Sequence, residues 1–196
     1  MILILIFIIN KVVIVMGFWP TISNVPGRLI TIDVNHLLSL GGSFCGLVPV
    51  SVNFVFGANG AIFVPFRIPR PLTVQSFSLQ NGTAVAGNID MGIYTPGGTR
   101  LVSTGSTAQA GISVTQTVAA TATRFGPGLF YMALAMSNAA TARILAQNFT
   151  PNDMAQMLGL ATMAAAFPLP ATAVFASVGV ANLFVPQFGL TARSFV

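Results

Sequence analysis

Asn88-Ile89-Asp90-Met91-Gly92-Ile93-Tyr94, followed by Thr95-Pro96-Gly97-Gly98-Thr99 and Arg100-Leu101-Val102-Ser103-Thr104, is the stretch that decides the fold. Ile89, Met91 and Ile93 fall on one side of an extended chain, and Asn88, Asp90, Gly92 and Tyr94 fall on the other. A period of two predicts a strand with one face in a core and the other outside it. Proline and glycine then supply a tight reversal, and Arg100 to Thr104 returns as the second arm of a β-hairpin.

Working outward, the segments 61–68, 72–79 and 128–134 have the same strand character. Short strands with turn signals about every ten residues predict an antiparallel β-sandwich. Pro65, Pro69 and Pro71 confine their region to edge positions or strand ends, because proline cannot donate to a ladder. Gln80-Asn81-Gly82-Thr83 offers an Asn-Gly turn, residues 105–111 form a polar loop, and 112–118 alternates. Arg124-Phe125-Gly126-Pro127-Gly128 turns the chain into the strand that follows. Further strands are expected at 29–34, 48–56, 143–149, 174–178 and 183–190. Residues 151–166 change character: Thr150 is placed as a cap, Pro151 at the first helical position and Asp153 in the first turn. Met154, Met157, Leu158 and Ala161 recur at helical spacing, so one short helix is expected, ended by Phe167-Pro168-Leu169-Pro170.

Composition bounds the partners. Of 196 residues, 54% are hydrophobic and 6% charged, against a usual charged share of about 25%. There are eight basic residues and three acids, all three of them aspartate. A soluble monomer needs surface charge, so much of this surface is expected to be covered by sister subunits, a larger assembly or lipid, and the abundant Ser, Thr, Asn and Gln favour protein over a polytopic membrane protein. The formal net charge of +5 does not by itself indicate nucleic acid. Lys11, Arg28, Arg67, Arg70, Arg100, Arg124, Arg143 and Arg193 are scattered, with only Arg67 and Arg70 close together, whereas nucleic-acid binders cluster their cations. No specific nucleic-acid partner is expected. Seven of the eight cations are arginine, which suits planar pairing at subunit interfaces.

Residues 1–19 are strongly apolar and admit three readings. Two strands, 2–9 and 12–18, meeting at Asn10-Lys11, fit the density of Ile and Val. A membrane segment is the second reading; Lys11 near its centre would cost about 2.5–3.5 kcal/mol on insertion scales. The third is a processed leader or a misplaced start, although Phe18-Trp19-Pro20 is a poor cleavage site. Residues 20–60 are punctuated by glycine and proline too often for long elements.

Catalytic constellations are scarce. A Ser-His-Asp arrangement would have to use His36, the one histidine, with Asp33, Asp90 or Asp153, and nothing in the spacing brings two of the aspartates together. Cys45 is alone and no metal-ligand spacing surrounds it, so neither a metal nor a cofactor is expected. Asn81-Gly82-Thr83 and Asn148-Phe149-Thr150 fit the N-glycosylation triplet, a pattern common by chance. Binding has one location: Asn88, Asp90, Tyr94 and Arg100 would line an open sheet face with polar groups and an aromatic ring, as an interface or sugar site. The alternative is that Asp90 pairs with an arginine across the sheet or a subunit boundary, which scarce charge favours.

Ala61-Ile62-Phe63-Val64-Pro65-Phe66-Arg67-Ile68, Gly87-Asn88-Ile89-Asp90-Met91-Gly92-Ile93-Tyr94, the run from Thr99 to Thr107, and Gly126-Pro127-Gly128-Leu129-Phe130-Tyr131-Met132-Ala133-Leu134 resemble a group of tailed-bacteriophage virion proteins. That group is tail-fibre-like or structural, with a jelly-roll or galactose-binding-like sandwich, and the resemblance covers roughly residues 58–196. Its usual acidic turn after the tyrosine is replaced here by Thr95-Pro96-Gly97-Gly98. The resemblance implies a non-enzymatic virion protein, located in the virion as capsid decoration or cement, or as a tail-associated fibre or adaptor. Its expected partners are copies of itself, most simply as a trimer, and other capsid or tail proteins. A module recognising host surface glycan is the alternative. The reading is therefore all-β: an extended hydrophobic arm for assembly or anchoring over residues 1–57, then an antiparallel, jelly-roll-like β-sandwich with one short helix over residues 58–196.

Overall fold

The computed structural model describes residues 6–9, 12–15, 29–33, 50–54, 58–137, 144–148, 159–177 and 184–194. In chain order the strands are β1 (Ile6–Ile9), β2 (Val12–Val15), β3 (Leu29–Asp33), β4 (Val50–Phe54), β5 (Ala61–Ile68) and β6 (Leu72–Gln80). Next come β7 (Asn88–Tyr94), β8 (Arg100–Ser103), β9 (Thr107–Ala108), β10 (Thr115–Phe125) and β11 (Gly128–Met136). The last are β12 (Ile144–Asn148), β13 (Ala161–Met163), β14 (Ala176–Ser177), β15 (Phe184–Pro186) and β16 (Phe188–Ser194). The chain is all-β, and no helix occurs among the described residues.

Two antiparallel sheets form the body. The first has the order β10-β6-β16-β3, and the second β14-β13-β5-β11-β7-β8, with β9 also alongside β7. Ile62, Val64, Phe66 and Ile68 of β5, Ile89, Met91 and Ile93 of β7, and Met132, Leu134 and Met136 of β11 form one hydrophobic cluster with Leu72, Val74, Phe77 and Leu79 of β6 and Phe188 and Leu190 of β16. Alternation puts these side chains on a single face of each strand, and the two apolar faces close on each other. Burial of each large side chain here contributes ~1.5–3 kcal/mol relative to exposure. In β6 the buried positions run 72, 74, 77, 79, a slip of one in the alternation. It coincides with a bulge, where Thr191 pairs with Ser76 but Ala192 pairs with Val74. The extra residue, Gln75, lets both halves of β6 keep their apolar side inward.

The predicted hairpin is present, with Ile93 opposite Val102 and Tyr94 opposite Arg100. Pro65 sits inside β5, a strand with neighbours on both sides. However, β13 pairs with β5 only from Ala61 to Phe63, so at Pro65 that flank is already a strand end. Ile6–Ile9 pairs antiparallel with Val12–Val15, as the two-strand reading of the N-terminus expects. No helix among the described residues is long and apolar enough to cross a membrane. Within residues 1–57, β3 pairs with β16 in the first sheet and β4 pairs with β12 in a smaller sheet of order β15-β12-β4.

Three expectations change. The helical spacing over 151–166 ends in a strand: Ala161–Met163 is β13, drawn out by the free flank of β5, and the preceding residues 151–158 lie outside the described residues. Asn81-Gly82 is not a hairpin turn, because β6 pairs with β10 and β16 rather than with β7. The second face of β7 is not outside the core: every residue from Ile89 to Tyr94 is buried.

Candidate functional site

What covers that face is a proline-rich strap, residues 166–173. The second sheet presents small residues to it, Ala61, Ala133, Ala135 and Ala161, which pack with Phe63, Tyr94, Ala166, Leu169 and Ala173 into a second hydrophobic cluster. Gly92 lies under the strap, where a Cβ would stand 2.6 Å from the Val102 carbonyl oxygen and 3.2 Å from Leu169 Cδ1. Small side chains on the strands are what let the strap come this close.

Three of the four predicted site residues converge on the strap. Asp90 Oδ1 accepts from Ser103 Oγ at 2.7 Å and Thr104 Oγ1 at 3.3 Å, and Oδ2 accepts from the Leu169 backbone N–H at 3.0 Å. Tyr94 Oη donates to the Pro170 carbonyl at 2.6 Å. Arg100 Nη1 donates to the Leu169 carbonyl, and the Arg100 backbone N–H donates to the Ala171 carbonyl at 2.9 Å. The Ala173 N–H then donates to the Gly98 carbonyl at 2.8 Å, and Thr99 bridges Thr172. At its other end the Ala166 N–H donates to the Asn59 carbonyl at 2.6 Å. Asn88 stands apart at the start of β7, with its Nδ2 donating to Ser106 Oγ at 2.9 Å and its backbone bonded to Ser137.

These contacts explain the polar pattern on β7. Asp90 is fully buried, yet its carboxylate is held by two hydroxyls and an amide within the subunit. Such bonding offsets the desolvation of a buried charge. The Tyr94 phenol is pushed well above the usual tyrosine range by burial; the Arg100 charge lowers it somewhat and the Asp90 charge raises it. It therefore stays a hydrogen-bond donor. An open sugar-binding face is absent here: Asp90 and Tyr94 are both 0% exposed and bonded to the strap or its supports. The aromatic ring that a sugar would stack on meets Phe63 edge-on instead, with centroids 5.2 Å apart.

Two features escaped the sequence reading. The first is a buried amide network: Asn81 Nδ2 donates to the Ala110 carbonyl at 2.6 Å and to Gln116 Oε1 at 3.2 Å, while Gln109 Nε2 donates to Asn81 Oδ1 at 2.9 Å. It fixes the 109–114 loop, whose Ile112 and Val114 side chains are exposed. The amide nitrogen of the first glycosylation triplet is thus engaged and inaccessible in the folded chain; in the second triplet, Phe149 and Thr150 lie outside the described residues. The second feature is spatial. Arg124 and Arg193, far apart in sequence, both stand opposite Thr73 on the outer side of the first sheet, while Arg67 stands at the same end on the outer side of the second. Cys45 and His36 lie outside the described residues.

No protein-family model, curated protein or solved structure matches this chain.

Proposed function

We propose that this chain is a self-associating structural subunit of a bacteriophage virion, a jelly-roll-type sandwich acting as capsid decoration or as a tail-associated fibre or adaptor. The observation that carries the self-association is β10. Among the described strands it has a neighbour on one side only, β6, and its eleven residues contain no proline and a single charge, Arg124. Edge strands of soluble monomers are blunted by lysine, proline or a covering segment. β10 does carry a bulge between Ala119 and Thr123, but the half from Thr115 to Ala119 is regularly paired to β6 and uncharged. It is a template for a neighbouring copy.

The chain's alternation between the two sheets, β5 to β6 to β7 and β9 to β10 to β11, supports a jelly-roll-type wrapping. The residue resemblance supports the virion setting, and the shortage of surface charge supports a subunit covered by neighbours. Light scattering of the purified full chain is expected to give a trimer or larger assembly, and Thr117→Lys on the exposed side of β10 is expected to reduce it to monomer. A stable monomer before any substitution refutes self-association. A stained gel of purified particles tests the setting, since decoration subunits appear in far higher copy number than fibre subunits, and absence of the chain from particles refutes it.

A further inference from the structure

We infer that Asn59 is a modification site: its side-chain amide is lost spontaneously to an aspartyl or isoaspartyl product, at a rate set by docking of the strap. Asn-Gly occurs twice in the chain, at Asn59-Gly60 and at Asn81-Gly82. The fold treats the two amides oppositely. Asn81 is fully buried, and its amide is bonded through both atoms, Nδ2 donating to the Ala110 carbonyl and Gln116 Oε1 and Oδ1 accepting from Gln109 Nε2. Asn59 stands exposed in the turn that leads into β5, and among the described residues nothing bonds to its side-chain amide. Its φ is +54°, in the left-handed region that asparagine enters more readily than most residues. Gly60 follows, with no side chain to shield its backbone nitrogen. The Asn59 carbonyl accepts from the N–H of Ala166, the first residue of the strap, at 2.6 Å.

The reaction needs only water. The Gly60 nitrogen gives up its proton to solvent base and forms a bond to Asn59 Cγ; the Cγ–Nδ2 bond breaks, and Nδ2 takes a proton from solvent and leaves as ammonia. A five-membered imide remains, and water opens it at one of two bonds. Opening at Cγ restores the main chain with a carboxylate side chain. Opening at the backbone carbonyl leaves the chain running through Cγ, with that former carbonyl now a free carboxylate off the main chain. Either product lowers the formal net charge of +5 by one. The strap enters through the first step. In the left-handed region ψ is about +30 to +60°, which puts the following nitrogen on the far side from Cβ. The Asn59–Gly60 peptide therefore has to turn before its nitrogen can meet Cγ. The carbonyl that Ala166 bonds lies in that same rigid plane, so turning it breaks the bond to the strap. A docked strap is a brake, and an isoaspartyl product no longer holds a carbonyl opposite the Ala166 N–H. None of this depends on the virion setting or on the free edge of β10.

Ageing the purified full chain at mildly alkaline pH, with mass-spectrometric peptide mapping and an isoaspartyl methyltransferase assay, tests it. In the folded chain Asn59 is expected to convert at least about tenfold faster than Asn81, which has three amide bonds to open against one strap bond at Asn59. In urea the two sites are expected to agree within about twofold, because both are then Asn-Gly in a solvated chain. Asp90→Ala and Tyr94→Phe each remove a bond to the strap and are expected to raise the Asn59 rate by about two- to tenfold. An Asn81 rate that stays slow in a variant shows that its sheets remain closed; if Asn81 also accelerates in Asp90→Ala, the milder Tyr94→Phe decides. Folded chains that convert Asn59 no faster than Asn81 overturn the site. An Asn59 rate untouched by both variants overturns the strap's control of it.

Discussion

Replacing Asp90 with alanine removes the acceptor on which Ser103, Thr104 and the Leu169 amide converge. The hydroxyls can turn elsewhere; Thr104 Oγ1 already lies 3.2 Å from the Gly105 carbonyl. The Leu169 N–H cannot turn, because the backbone fixes it. A hydrogen bond to an ionised group contributes ~1.5–3 kcal/mol, and a buried amide left unpaired costs ~1–3 kcal/mol. Relief of the carboxylate's own desolvation works in the opposite direction, which holds the net loss to about 3 kcal/mol. Against a typical domain stability of about 5–15 kcal/mol this is a large fraction. Urea unfolding is expected to show a lower midpoint at unchanged slope, and amide exchange at Leu169 is expected to accelerate well before the sheets open. Asp90→Asn keeps an acceptor for Leu169 and is expected to lose only about 1 kcal/mol. If alanine and asparagine were equally harmless, within about 0.5 kcal/mol of the parent, the carboxylate would not be what holds the strap.

Tyr94→Phe loses the bond to the Pro170 carbonyl and is expected to cost ~1 kcal/mol at neutral pH. The folded phenol is held above its unfolded value, so its contribution is complete below about pH 10 and declines as pH rises beyond that; a pH series of melts should show a smaller alkaline loss in the variant. Gly98→Ala would place a Cβ 2.2 Å from the Ala173 carbonyl oxygen at a φ of +84°, and is expected to cost more than the ~1–2 kcal/mol of a left-handed alanine alone, read by urea unfolding. Asn81→Asp puts a carboxylate oxygen where Nδ2 now donates to Ala110 and Gln116; a loss of ~2–3 kcal/mol and faster exchange over residues 109–114 are the expected readouts.

The strands were legible because their apolar residues alternate, and the hairpin because proline and glycine stand where the chain reverses. The bulge in β6, which follows the slip from Val74 to Phe77, was not read from the sequence. Burial of both faces of β7 was not legible, since a polar residue under a bonded strap and a polar residue in water give the same alternation. The strap is contributed from far along the chain, and its Leu169 had read as part of a helix stop. Ala161 fitted a helical spacing, and only the vacant flank of β5 made it a strand. The placing of Arg124 and Arg193 on either side of Thr73 is set by strand order, which no local pattern encodes. Asp90, Tyr94 and Arg100 were expected as part of an interface or ligand face, and in the structure their bonds run to the strap and its supports.

The strap also sets an order of events during synthesis. Leu169 and Pro170 leave the ribosome well after Asp90 and Tyr94, so until they emerge the outward side of β7 has no lid. A nascent chain halted before the strap emerges carries an open seam on its second sheet. The seam closes only when the strap has emerged and its backbone reaches Asp90, Tyr94 and Arg100.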